Sequence, residues 1–280
     1  MRLGKLVRIA AALLFVVGSG LALASDKSAP DLDGSADLIV RREMLEAQWL
    51  VRVENLPASY CSVVEGEVTP GDRKLLRFTV GTANIGNADI FIGNPRDHVD
   101  ANDGLFEYSS CHQHFHFRHY ALYELVDPAT GHVWRAAKRG FCMLDTDPNP
   151  AYLGAPPHAP YYNSCGDLTS GGRQGISVGW TDTYRFDLGG QYFVLDGGDG
   201  QAPVPPGHYI IRITVDPPFT PQTGEACPHR DSRGFCHQLP ESNYDNNVGE
   251  VAVDIPANPG RSGVGPLAGT PPAAESSVYP

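Results

Sequence analysis

The sequence predicts an all-β protein, a β-sandwich-like core with long disulfide-pinned loops. Short runs rich in branched and aromatic residues recur between turn signals, while long helical periodicity is scarce. Glycine (31) and proline (24) are abundant enough to punctuate the chain into short elements. Six cysteines, an even number, follow an N-terminus of export type and favour three disulfides.

The chain opens MRLGKLVRIAAALLFVVGSGLALASDKSAP. Arg2, Lys5 and Arg8 form a basic segment, an apolar run follows from Ile9 to about Val17, and Ala22-Leu23-Ala24 supplies a small-x-small cleavage pattern. Residues 1–24 therefore read as a secretory signal peptide, too short in its apolar part to span a bilayer well. The expected location is secreted, extracellular or periplasmic, with no stable membrane insertion. Formal charge is −11, and it falls to −14 on removing this segment because it carries three basic residues and no acidic one. That balance argues against nucleic acid as a partner, since phosphate binding needs a basic face. It suits solubility and the attraction of cationic amines.

Between residues 25 and 255 one domain is expected. The segment 40–56 could begin as a helix and reads as strand at WLVRV; LLRFTV (75–80), ADIFIG (88–93), HYALYEL (119–125), HYIIRITV (208–215) and GEVAVDI (249–255) read as strands. The connections 143–179 and 216–240 are long and dense in Pro, Gly, Asn and Asp; such loops are usually functional or cross-linked. Residues 256–280 collapse to Pro, Gly, Ala and Ser and read as a disordered tail.

The chemistry concentrates in YSSCHQHFHFRHY (108–120). On a strand, His112, His114 and His116 share one face, and neutral imidazole ligates copper or zinc. Three nitrogens leave an open coordination position. In an ideal strand His112 and His116 stand roughly 13 Å apart, so the chain must curl for all three to meet one ion. Spacing alone does not choose the metal.

The run CHQHFH (111–116) resembles the copper motif of the lysyl oxidase family, C-H-Q-H-[YF]-H, and His119-Tyr120-Ala121-Leu122 matches the His-Tyr-x-Leu that follows it after a shortened insert, Phe117-Arg118. Lys138-Arg139-Gly140-Phe141-Cys142-Met143-Leu144-Asp145-Thr146 and Asp182-Thr183-Tyr184 resemble two further family segments in order. APDL (29–32), RKLLRF (73–78), PPGHYIIRITVDP (205–217) and PESNYDNNVGEVAVDI (240–255) extend the resemblance over about residues 29–255. It implies copper held by His112, His114 and His116, and a lysine tyrosylquinone built from Lys138 and Tyr184. It also implies oxidation of peptidyl lysine or small primary amines by oxygen to aldehydes, with release of peroxide and ammonia. His119 is the candidate catalytic base, provided the chain turns at Phe117-Arg118; Asp182 and Tyr120 are candidates for orienting roles.

By the same resemblance Cys111 pairs with Cys165. Val53 stands where the family's other N-terminal cysteine would be, residues 145–148 hold no partner for Cys142, and Trp180 replaces a family cysteine. The orphans then suggest Cys61–Cys142, leaving Cys227–Cys236. Two rival readings remain. One is a metal-binding β-sandwich without redox chemistry, in which Lys138 and Tyr184 stay unlinked. The other is a zinc hydrolase on the same triad, for which no acidic base stands beside the motif.

Overall fold

The computed structural model describes residues 26–138, 140–149, 158–221 and 226–272. The signal-peptide segment, Arg139 and residues 273–280 lie outside the described residues. The first part of the chain runs β1 (Leu38–Val40), α1 (Arg42–Ala47), β2 (Trp49–Leu56), α2 (Cys61–Val64), β3 (Gly71–Phe78), β4 (Val80–Asn84), β5 (Ile90–Gly93) and α3 (Pro95–Ala101). The middle holds β6 (Phe106–Ser109), β7 (His114–Phe117), β8 (Ala121–Val126), β9 (Val133–Arg135), β10 (Asp147–Pro148), β11 (Gln174–Ile176) and β12 (Trp180–Tyr184). The last part holds β13 (Tyr192–Val194), β14 (Gly207–Val215), β15 (His229–Arg230), β16 (Cys236–His237) and β17 (Val248–Ile255). The protein is all-β, with three short helices among the described residues.

Among the described residues every pairing between these strands is antiparallel. The larger sheets run β17-β14-β8-β9, β1-β4-β12-β10 and β13-β3-β2, and β6 and β7 form a separate hairpin. In β17 the side chains alternate exposed and buried, so Val251, Val253 and Ile255 face inward and Glu250 and Asp254 face water. Phe78 on β3 joins two sheets: its ring meets Tyr123 of β8 edge-on at 5.4 Å and stacks on Phe193 of β13 at 4.9 Å. Burial of such aromatic area is the main favourable term holding sheets face to face.

The run 75–80 is two strands. Thr79 separates β3 from β4, donating its amide to Gln48 and accepting the Phe186 amide on its hydroxyl, so the chain passes from one sheet to the next. The expected strand at 119–125 begins only at Ala121, because His119 has φ +65°, a left-handed conformation that ends a ladder.

Two of the three expected disulfides are corrected. The bonds are Cys61–Cys111, Cys142–Cys165 and Cys227–Cys236, not Cys111–Cys165 and Cys61–Cys142. Strand neighbours decide this. Phe117 donates its amide to Phe141, and Phe115 donates to Gly166, so the chain on both sides of β7 brings Cys142 next to Cys165, with Cα atoms 5.6 Å apart. Cys111, in the turn before β7, meets the start of α2 instead, 5.5 Å from Cys61 at Cα.

Residues 256–272 are a second correction to the composition-based reading, because they lie ordered along β2. Val264 exchanges amide and carbonyl with Val51, and the Gly260 carbonyl accepts the Val53 amide. The fully buried Arg52 donates from Nη1 to the Thr270 carbonyl at 2.6 Å and also pairs with Glu54, which Arg77 holds from the other side at 2.8 Å. A buried guanidinium needs its donors filled. Deleting residues 257–280 should therefore destabilise the fold by about 2 kcal/mol or more, lowering the melting midpoint in calorimetry; an unchanged midpoint would show that this strap contributes nothing.

Candidate metal centre

Four residues, 110–113, form the turn between β6 and β7. Gln113 within it has φ +59°, and this left-handed step curls the chain before the strand starts. His114 and His116 then project from one face of β7, while His112 reaches over from the turn. The ring centroids stand 5.5 Å (His112–His114), 5.2 Å (His112–His116) and 5.0 Å (His114–His116) apart. One nitrogen from each lies within 4.8 Å of the others. The separation of an ideal strand is removed by the turn, not by a bulge. Such a cluster of nitrogens fits one copper or zinc ion with a position left open.

The triad is held neutral. Burial above all, with the Lys138 ammonium adding to it, lowers the pKa of His112 and His114 to about 4 and of His116 to about 2. At neutral pH all three nitrogens are thus free of competing protons, the state a metal requires. Because the unfolded chain takes these protons first, near pH 6.5, the metal-free fold loses stability as pH falls below that value.

Ring placement depends on a glycine the sequence reading did not single out. Gly140 passes beneath His116, and a Cβ there would stand 1.9 Å from His116 Nδ1. The only sequence signal was a glycine two residues after Lys138. Lys138 itself sits between the triad and Tyr184. Its Nζ lies 5.1 Å from the Tyr184 ring centroid and 5.5 Å from that of Phe141. Tyr184, at the end of β12, is fully buried. Its hydroxyl donates to the Cys142 carbonyl at 2.8 Å and accepts the Cys142 amide at 2.5 Å. The Cys142–Cys165 bridge thus anchors the segment that orients the phenol.

Asp182 precedes Tyr184 by two residues on the same strand, which puts both on one face. Its carboxyl is fully buried, and no hydrogen bond of standard geometry reaches either oxygen among the described residues. Desolvation holds its pKa well above the usual carboxylate range, with Tyr120 nearby offsetting this in part. Tyr120 is also buried, its ring 6.3 Å from that of Tyr184.

His119 does not join the triad. The chain turns at Arg118-His119, and the exposed imidazole stacks on Phe219 at 5.5 Å. It does share a cavity of about 690 Å³ with Lys138; Tyr123, Arg135, Phe141 and Gln201 also contribute to its wall. Phe219 is held there by its pairing with Cys236, itself bridged to Cys227. Arg135, Gln201 and Phe219 carried no motif by which sequence could have found them.

Replacing Gly140 with alanine should displace the His116 ring and weaken metal binding by about 10- to 100-fold, while the circular dichroism spectrum is retained. Titration of copper(II) into the metal-free variant measures this, and wild-type affinity would contradict the packing described.

Comparisons with known proteins agree with this geometry. The family model for lysyl oxidase matches residues 41–226. Lysyl oxidase homolog 2 of Gallus gallus is 29% identical over 238 residues, covering 82% of this chain and 25% of that protein. The Homo sapiens protein of the same name is 27% identical over the same shares. Protein-lysine 6-oxidase of Sus scrofa is 32% identical over 178 residues, 63% of this chain and 55% of that protein. The chain thus spans about a quarter of the length of its homolog 2 relatives. With the family model covering well over half of the chain and falling on the histidine hairpin, the Lys138 segment and the Tyr184 strand alike, this protein belongs to the lysyl oxidase family.

Proposed function

We propose that this protein is a copper-dependent amine oxidase that converts lysine-type primary amines to aldehydes, using a lysine tyrosylquinone made from Lys138 and Tyr184. The observation that carries this reading is the approach of Lys138 Nζ to within 5.1 Å of the Tyr184 ring, beside three neutral imidazoles that can share one ion. The donor set suits copper, and amine and phenol need only a small side-chain movement to meet. When present, the metal and the quinone supply the electron transfer: amine, oxygen and water become aldehyde, peroxide and ammonia.

The chain's own residues have separate tasks. His112, His114 and His116 offer unprotonated nitrogens and hold the ion. The Cys142 backbone fixes the Tyr184 oxygen, which limits rotation of the ring. Burial shifts the Asp182 carboxyl towards its neutral form, which reduces the charge it presents to the neighbouring Tyr184 ring. Substrate enters the cavity that Lys138 shares with His119, and Phe219, which stacks on the imidazole, and Pro218 line its wall. A His119 ring nitrogen takes the proton from the carbon that bears the substrate amine. Oxygen and peptidyl lysine or a small primary amine are the partners on this reading, and secretion through the N-terminal segment places the enzyme outside the cytoplasm.

The rival reading is a metal-binding protein without redox chemistry, in which Tyr184 stays an unmodified structural residue, and one substitution separates the two. Tyr184→Phe should abolish amine-dependent peroxide release, a loss of at least about 10³-fold, while copper still binds with unchanged stoichiometry. Turnover in that variant would exclude the quinone.

A further inference from the structure

We propose that the Lys138 cavity selects primary amines whose neighbouring group is a carboxylate, and that Arg135 is the residue that reads it. This rests on the amine-oxidase reading and names its substrate class. The basic side chains on the cavity wall are Lys138, Arg135 and His119, and among the described residues no carboxylate contributes to it. The protein as a whole is anionic at −11 and attracts amines from a distance, but the cavity itself is cationic. Once Lys138 is linked to Tyr184 its ammonium is gone, and Arg135 is left as the permanent positive charge.

Arg135 is placed to act on the substrate's flank. It ends β9, and only Ala136 and Ala137 separate it from Lys138, a Cα span of at most about 10 Å. Its side chain is 52% exposed. Its backbone is fixed: its amide donates to Gln201 Oε1 at 2.8 Å and its carbonyl accepts from Gln201 Nε2 at 2.9 Å, while Gln201 is in turn tied to Asp199. Among the described residues its guanidinium has one partner, Glu124 on the neighbouring strand, reached through Nη1 at 3.1 Å. Five N–H donors are available on a guanidinium, so Nε and Nη2 can receive a carboxylate in the planar fork that arginine provides. Glu124 is not among the residues that line the cavity, and its ion pair attenuates Arg135 without occupying the wall. An amine beside an Asp, a Glu or a chain-terminal carboxylate finds a partner there. An amine beside a second cation, as in polyamines or lysine runs, is repelled.

The test uses the copper-loaded full chain and three short peptides with one reactive lysine each: one followed by Glu with blocked ends, one followed by a trimethylated lysine with blocked ends, and one ending in lysine with a free carboxylate. Peroxide release at low salt should favour the Glu peptide over the cationic one by about three- to tenfold in kcat/KM, and the ratio should shrink at high salt. Arg135→Gln should bring the ratio towards one, and Glu124→Gln should raise it. The free-carboxylate peptide distinguishes a terminal from a side-chain anion by which of the two responds more to Arg135→Gln. Ratios that neither variant moves would overturn the proposal. Binding of the same peptides under anaerobic conditions, read by fluorescence anisotropy, keeps the inference separate from the activity. Charge-dependent binding with no turnover of any amine sinks the oxidase reading alone, whereas turnover with charge-blind binding sinks the role of Arg135.

Discussion

The site depends on one backbone turn. Four residues between β6 and β7, with Gln113 held in the left-handed region, convert a linear run of histidines into three rings about 5 Å apart. A straight strand would spread the same side chains over more than twice that distance. A left-handed step costs a non-glycine residue roughly a kilocalorie per mole or more, so something must hold it. The Cys61–Cys111 bridge closes on the turn itself, and the His112 amide donates to Ser109 Oγ across it at 2.9 Å.

A second element fits against that turn. Gly140 and Phe141, between Lys138 and Cys142 in the chain, lie against β7, Gly140 beneath His116 and Phe141 bonded to Phe117. This one segment supplies the glycine under His116, the amine near the Tyr184 ring and the backbone groups that clamp the phenol. Three functions on five consecutive residues explain why small geometric changes here are expected to have chemical effects. The Cys142–Cys165 bridge ties the segment to the long loop, so the disulfides serve the site as well as the fold.

The sequence was most informative where a local pattern sufficed. The alternation of CHQHFH marked the histidines, and β-rich runs between turn residues marked β14, β17 and β5 closely. It was least informative where the answer depended on which strands become neighbours. Cys142 meets Cys165 because both flank β7, a fact of sheet pairing that counting unpaired cysteines cannot supply. Residues 256–272 have the composition of an unstructured tail, yet the Val264 pairing and the need of Arg52 for an acceptor fasten them to β2. His119 read as the start of a strand and is instead a left-handed turn residue facing the Lys138 cavity. Gly140 and Arg135 became visible only when their neighbours did.

All of this gains chemical meaning if the amine and the phenol beside the histidine cluster become one group. The direct measurement is peptide mass spectrometry of the protein after incubation with copper(II) and oxygen, following proteolysis. The account predicts a single linked species joining the peptides that contain Lys138 and Tyr184, absent when copper is withheld. Recovery of the two peptides separate and unmodified, from protein shown to carry its copper, would contradict it.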